Sequence, residues 1–319
     1  MIENKIIIKV ILPHNTFNEK NIKMWLDFLL WFTPTDMAGN LTTGNKIVPF
    51  QPHKFYENLN NEVAESRFSI RLSDENSNIS IAKLQYQTTV SVSAANIDIK
   101  EIMYRIEKLI VELEAITAFA MDKEDFFWQS NKDPNNYKRR NKSLNNVKII
   151  KDPRLPRREI IDPLSLPGYI QYFHEIGFTS SWKMWFGPLF YKYIPFERLV
   201  AFKGGYETLI INESFVRITL YKNSWEYDDP QNRAIQWDCR RSLEIDTVVE
   251  QLRGIGNRTG NTDPSIEFIT TDLQYGGDLR VKYYYNSEGK LVPRSKSVSV
   301  IEYEMKKSGE VQWKEIRST

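Results

Sequence analysis

Apolar and polar residues alternate along this chain in two periods, and the switches between them mark the elements. Lys5 to Leu12 is an isoleucine-rich run that reads as a buried strand, ended by Pro13. Asn18 to Phe32 places Ile22, Trp25, Leu26, Leu29 and Leu30 on one helical face, and Pro34 stops it. Leu41 to Pro52, with Gly, Asn and two prolines, reads as loop. Arg67 to Leu72 and Ile79 to Val92 alternate with period two, and residues Asp74 to Asn78 form the turn of a predicted hairpin. Asp98 and Glu101 stand at capping-box spacing before a long stripe of Ile99, Ile102, Met103, Ile106, Leu109, Ile110, Leu113, Ile116 and Ala120. That stripe predicts a helix running to Ala120.

From Asn131 to Glu159 the period is lost. Ten Lys or Arg face three acids there, with Pro134, Pro153 and Pro156, so the segment reads as a linker or long surface loop. Val147 to Ile150 could pair as an edge strand. Glu207 to Tyr221 reads as two strands around Asn212-Glu213-Ser214. Pro230 to Ser242 reads as a helix with Asp228 or Asp229 at its start, and Ile245 to Leu252 as another. Ser265 to Thr270, Asp278 to Tyr285 and Ser297 to Met305 read as a strand meander, with Val311 to Ile316 as a further edge strand.

This order predicts an α+β fold in two units, the second closing with an antiparallel β-meander. The expected division is 1–130 for an N-terminal domain, 131–161 for the basic linker and 162–319 for an aromatic-rich C-terminal domain. The length of 319 residues suits two domains.

Composition narrows the partners. Forty-three basic and 41 acidic side chains leave a net charge of +2, which gives no general pull toward nucleic acid. Cys239 is the single cysteine, so an internal disulfide and a cysteine-built zinc site are excluded, and a reducing compartment fits. No stretch approaches the ~18 apolar residues of a membrane span. Met1 to Leu12 does not read as a secretion signal, so none is expected. The expectation is a cytoplasmic protein, and the Lys-, Asn- and Ile-rich usage points to a bacterial one.

Familiar chemical motifs do not assemble. His14, His53 and His174 lack metal-ligand spacing, so no metal site is expected. Gly254 to Gly260 is glycine-rich but follows a helix and precedes a strand, the reverse of a dinucleotide-binding turn, so no cofactor is expected. Cys239 lies beside Arg240 and Arg241 but has no assignable base, and reads as structural.

Thirteen aromatic residues fall between Tyr169 and Tyr206, a span of 38 positions. Such a density builds either a core or a contact surface. Trp182, Trp185 and Tyr191 are the candidate anchors of a surface. Glu226, Asp228 and Asp229 form an acidic patch that could cap the following helix or steer a basic partner. Lys138, Arg139, Arg140, Arg157 and Arg158 are the candidate phosphate contacts, although a solvated loop is the plainer reading.

Phe178-Thr179-Ser180-Ser181-Trp182-Lys183-Met184-Trp185-Phe186-Gly187-Pro188, followed by Ile194-Pro195-Phe196-Glu197-Arg198-Leu199, resembles a segment of small cytosolic proteins from bacterial polymorphic-toxin neighbourhoods. Ile218-Thr219-Leu220-Tyr221 and Asp229 to Gln236 extend the resemblance over roughly residues 168–252. It implies an immunity-type protein that occludes one cognate toxin without catalysis. Two alternatives stand beside it: an enzyme or binding component of a defence system acting on nucleic acid or nucleotides, and a structural component of a phage or secretion assembly.

Overall fold

The structure is a computed structural model and describes residues 5–28, 33–39, 46–63, 68–84, 86–95, 98–152, 155–174, 176–256, 263–268, 279–305 and 311–319. The first half contains β1 (Lys5–Pro13), α1 (Glu19–Phe28), β2 (Asp36–Gly39), β3 (Val48–Pro49) and α2 (Pro52–Val63). It continues with β4 (Phe68–Ser73), β5 (Asn78–Lys83), β6 (Gln87–Ala95), α3 (Ile99–Glu112) and β7 (Thr117–Asp122). Next come α4 (Lys123–Ser130), α5 (Pro134–Arg139), β8 (Ile149–Lys151), β9 (Glu159–Ile161), β10 (Gln171–Phe173), β11 (Ile176–Phe178) and β12 (Lys183–Phe186). The chain then forms α6 (Phe196–Ala201), β13 (Glu207–Ile211), β14 (Phe215–Thr219), α7 (Pro230–Ser242) and α8 (Ile245–Gly256). It ends with β15 (Ile266–Phe268), β16 (Leu279–Tyr285), β17 (Ser299–Met305) and β18 (Val311–Ser318).

The fold is α+β, and its main sheet is antiparallel throughout, with strand order β13-β14-β12-β7-β1-β6-β5-β4-β2-β3. The four C-terminal strands form the expected meander, β15-β16-β17-β18. Several helices begin on an aspartate whose carboxylate accepts an otherwise unpaired backbone N–H. Asp98 takes that of Lys100 at 2.9 Å, Asp122 that of Glu124 at 2.7 Å, Asp133 that of Asn135 at 2.9 Å and Asp229 that of Gln231 at 2.7 Å.

The helix opened by Asp98 ends at Glu112, not Ala120. Glu114 takes φ +49°, which turns the chain out of the helix, and Thr117 to Asp122 becomes a central strand buried along its whole length. Ala118 and Ala120 share one face of that strand, where their small side chains leave room for the layer above, while Phe119 and Met121 fill the other. The small side chains suit a strand as well as they suit a helical stripe.

The two halves do not form separate sheets. β12, from the aromatic segment, pairs with β7 at Lys183↔Ala120 and Trp185↔Ala118, while β7 pairs on its other side with β1 at Ile8↔Ala120. One continuous core runs from Ile6 through Trp185 to Met305. Gly187 permits the join: its N–H donates to the Ile116 carbonyl at 3.0 Å, and a Cβ there would lie 2.0 Å from the Ala115 carbonyl oxygen.

The segment 131–161, expected as a linker, is a packed insertion in its described part. Tyr137 is buried with Trp128, Ile161 and Leu166 in a second small core, and its hydroxyl donates to the Trp128 carbonyl at 2.9 Å. β8 and β9 pair as a hairpin at Ile150↔Ile160, which takes in Ile149 and Ile150 of the expected edge strand. The described residues contain no helix long and apolar enough to cross a membrane.

Candidate functional site

The register of the main sheet sorts its side chains by face. Lys183 pairs laterally with Ala120 and Thr219, and Trp185 with Ala118 and Arg217, so Lys183, Trp185 and Arg217 share the face covered by α3. Arg217 Nη1 donates to both carboxylate oxygens of Glu107, at 2.9 and 2.7 Å, and its Nη2 donates to Glu207 at 2.7 Å. Trp185 Nε1 donates to Glu107 at 2.7 Å. One α3 carboxylate thus anchors a core ring and a sheet cation.

Beside this anchor lies a cleft of about 470 Å³. Its floor carries Lys183, Arg217 and Glu107. One wall is the exposed turn of α3 with Ile99, Lys100, Met103 and Tyr104, and the other is formed by Tyr206 and the segment Lys222–Trp225. Three rings stand open to solvent around it: Tyr104 is 55% exposed, Tyr206 62% and Trp225 39%. Lys108 Nζ sits 4.3 Å from the Tyr104 ring centroid, and Lys183 Nζ 5.0 Å from that of Trp182.

Electrostatics in the cleft favours an anion. Burial works against the Arg217 charge, but the bonds from Glu107 and Glu207 outweigh it and hold the guanidinium above its ordinary value. Lys183 is pulled below the usual lysine range, first by burial and then by the nearby Arg217. Lys100, Lys183 and Lys222 form no ion pair among the described residues. An incoming carboxylate or phosphate would meet three ammonium groups that pair with no carboxylate among the described residues, one of them, Lys183, lying over the Trp182 ring.

Of the expected contact residues, only Trp182 lines this cleft, and it is almost wholly buried with Nε1 donating to the Tyr221 carbonyl at 2.8 Å. Trp185 and Tyr191 are core residues and present no surface. Tyr191 spends its hydroxyl on the carbonyls of Phe186 and Ser214. The expectation that these rings anchor a partner is therefore corrected: Trp185 lies in the sheet joint beneath α3, and Trp182 and Tyr191 are buried with their polar atoms bonded to backbone carbonyls. The acidic patch is likewise committed locally. Glu226 accepts from the Asn223 N–H at 3.2 Å and from its Nδ2 at 3.1 Å, fixing the turn that presents Trp225. Asp228 pairs with Lys142 and, at 3.7 Å, with Arg233, while Asp229 caps α7.

The basic candidates lie on the packed insertion. Lys138 and Arg139 are exposed in the last turn of α5, and Arg157 and Arg158 are exposed in the turn before β9. Arg140 lies over the Phe127 ring at 4.2 Å and pairs with Glu124 at 3.5 Å. Burial pushes the Cys239 thiol far up, which keeps it protonated and inert. Among the described residues, no group of three or more His, Cys, Asp or Glu is placed to hold a metal ion.

Tyr104, Lys183, Tyr206, Arg217, Lys222 and Trp225 were not singled out as site residues from sequence. They come from separate segments that meet only through the pairing of β12 with β14 and the docking of α3. Trp225, beside the acidic patch, was the nearest local signal.

No protein-family model matches this chain, and no curated protein matches it.

Proposed function

We propose that the protein is a non-enzymatic binding protein whose cleft between α3 and the 222–226 turn receives an acidic segment of a partner protein. The observation that carries this reading is the cluster of three exposed rings around three lysines without an ion-pair partner among the described residues. Trp and Tyr are the residues that most often supply binding energy at interfaces. Lysines at the rim accelerate encounter with a negative partner. The concrete form is an immunity protein that occludes a cognate bacterial toxin in the cytoplasm, motivated by the resemblance over residues 168–252. Because Glu226, Asp228 and Asp229 are occupied by the protein's own backbone and cations, the reading now assigns steering to the lysines and acidity to the partner.

A second reading is favoured by the same composition: stacked rings beside cations also bind single-stranded nucleic acid. One experiment separates them. Wild-type protein, Trp225→Ala and Lys222→Glu serve as parallel baits in a native lysate, with and without nuclease. The proposal expects one stoichiometric protein retained by wild type, unaffected by nuclease and lost by both variants. Equal recovery by all three baits would contradict it. Recovery of nucleic acid that nuclease removes would replace it with the second reading.

A further inference from the structure

The opposite face of the main sheet holds a cavity of different character. Lys9 pairs laterally with Ser91 and Phe119, so it points away from α3, toward α4 and the β10–β11 hairpin. There it borders a partly open cavity of about 340 Å³, walled by Leu84, Phe119 and the ring of Tyr172. The lining is overwhelmingly apolar. Lys9 Nζ lies 5.1 Å from the Phe126 ring centroid and 3.4 Å from the Tyr172 hydroxyl oxygen.

Lys9 is half-buried, and even a partly desolvated lysine is favoured by a carboxylate beside it, because losing water from an unpaired ammonium is costly. Among the described residues Lys9 has none; its polar contact is the Tyr172 oxygen. Tyr172, which is 45% exposed, accepts from Lys9, and its own O–H proton has no protein acceptor among the described residues and is free for solvent or a ligand. One cation and one hydroxyl donor therefore converge at the mouth of an apolar cavity, with no anion beside them among the described residues. Burial also pulls Lys9 below the usual lysine range, the response of an ammonium lacking a counter-charge.

We infer that this cavity binds a small apolar carboxylate, an aliphatic or aromatic acid whose carboxylate pairs with Lys9 and accepts from the Tyr172 hydroxyl while its hydrocarbon part fills the space against Leu84 and Phe119. Size supports it. A cavity of about 150 Å³ takes a benzene ring, so this one takes about a dozen non-hydrogen atoms. The volume sits at the lower end of ligand pockets, which combine an apolar lining with a few convergent polar groups.

The test is calorimetric titration of the full chain with decanoate and, separately, with decanol, both below their aggregation limits. Decanoate should bind saturably at one site, about ten- to a hundredfold tighter than decanol, the margin of a charge-assisted pair. Lys9→Met should bring decanoate down to the decanol level while leaving decanol unchanged. Ser91→Leu, which fills the cavity from the sheet floor, should abolish both. Circular dichroism of each variant confirms folding. Equal affinity for acid and alcohol, insensitivity to Lys9→Met, or no saturable binding by decanoate and by naphthoate would each overturn the inference.

Discussion

Arg217 on β14 reaches both carboxylate oxygens of Glu107 on α3, at 2.9 and 2.7 Å, across 110 residues of sequence. This contact fixes the helix that walls the cleft to the strand that floors it. Both side chains are largely buried, so each depends on the other to offset its desolvation. Glu107→Gln leaves Arg217 with Glu207 alone and should lower stability by about 1–3 kcal/mol. A double-mutant cycle with Arg217→Met should give a coupling of about 1–3 kcal/mol by urea unfolding. A coupling near zero would mean that the pair does not hold the cleft.

The two tryptophans of this region should behave oppositely. Trp185 is fully buried against Glu107, and Trp185→Ala should cost about 3–5 kcal/mol through the cavity it opens. Trp225 is exposed, and Trp225→Ala should change stability by less than about 0.5 kcal/mol. Urea midpoints of the two variants check this directly. A large loss for Trp225→Ala would place that ring in a supporting role rather than a contact role.

Gly187 predicts a test of the continuous sheet. An added Cβ would collide with the Ala115 backbone oxygen, which cannot swing aside. Gly187→Ala should either prevent folding or cost more than about 3 kcal/mol, and it should expose the aromatic core to the dye ANS. A variant of unchanged melting temperature would show that β12 does not abut β7 as described.

The insertion core makes stability fall at alkaline pH. Burial pushes the Tyr137 phenol up to about 12. The unfolded chain releases that proton near pH 10. Between about pH 10 and 12 the folded state holds more protons than the unfolded state, so stability decreases as pH rises, by at most about 3 kcal/mol from this group. The contribution is fully present below about pH 10. Tyr137→Phe should flatten that part of the unfolding free energy profile. An unchanged slope would assign the alkaline loss to other tyrosines.

Local patterns carried much of the fold. Asp229-Pro230 starts α7 and Ser242 ends it, as the capping signal and apolar spacing predict. The hairpin at 212–214 and the C-terminal meander followed from alternation and turn residues. α2 was missed because its segment directly follows a loop-like, proline-bearing stretch. The overlong helix had another cause: Leu113, Ile116 and Ala120 keep helical spacing, and a left-handed Glu114 leaves no mark in sequence.

The candidate site was less legible for a related reason. Glu226, Asp228 and Asp229 read either as a cap for the following helix or as charge for a basic partner; Asp229 is that cap, while Glu226 and Asp228 bond to Asn223, Lys142 and Arg233. Tyr104, Tyr206 and Trp225 are unremarkable singly. The pairing of strands distant in sequence and the docking of α3 bring them around Lys183 and Lys222.

The most direct measurement is site-specific photo-crosslinking in cells of the native source. A photoreactive phenylalanine analogue replaces Tyr206 at the cleft and, as a control, Ile316 on the exposed edge strand β18. The account predicts one protein crosslinked from position 206, diminished by Lys222→Glu and absent from position 316. Crosslinking from 316 alone, or none from 206 while a partner co-purifies with the protein, would contradict it.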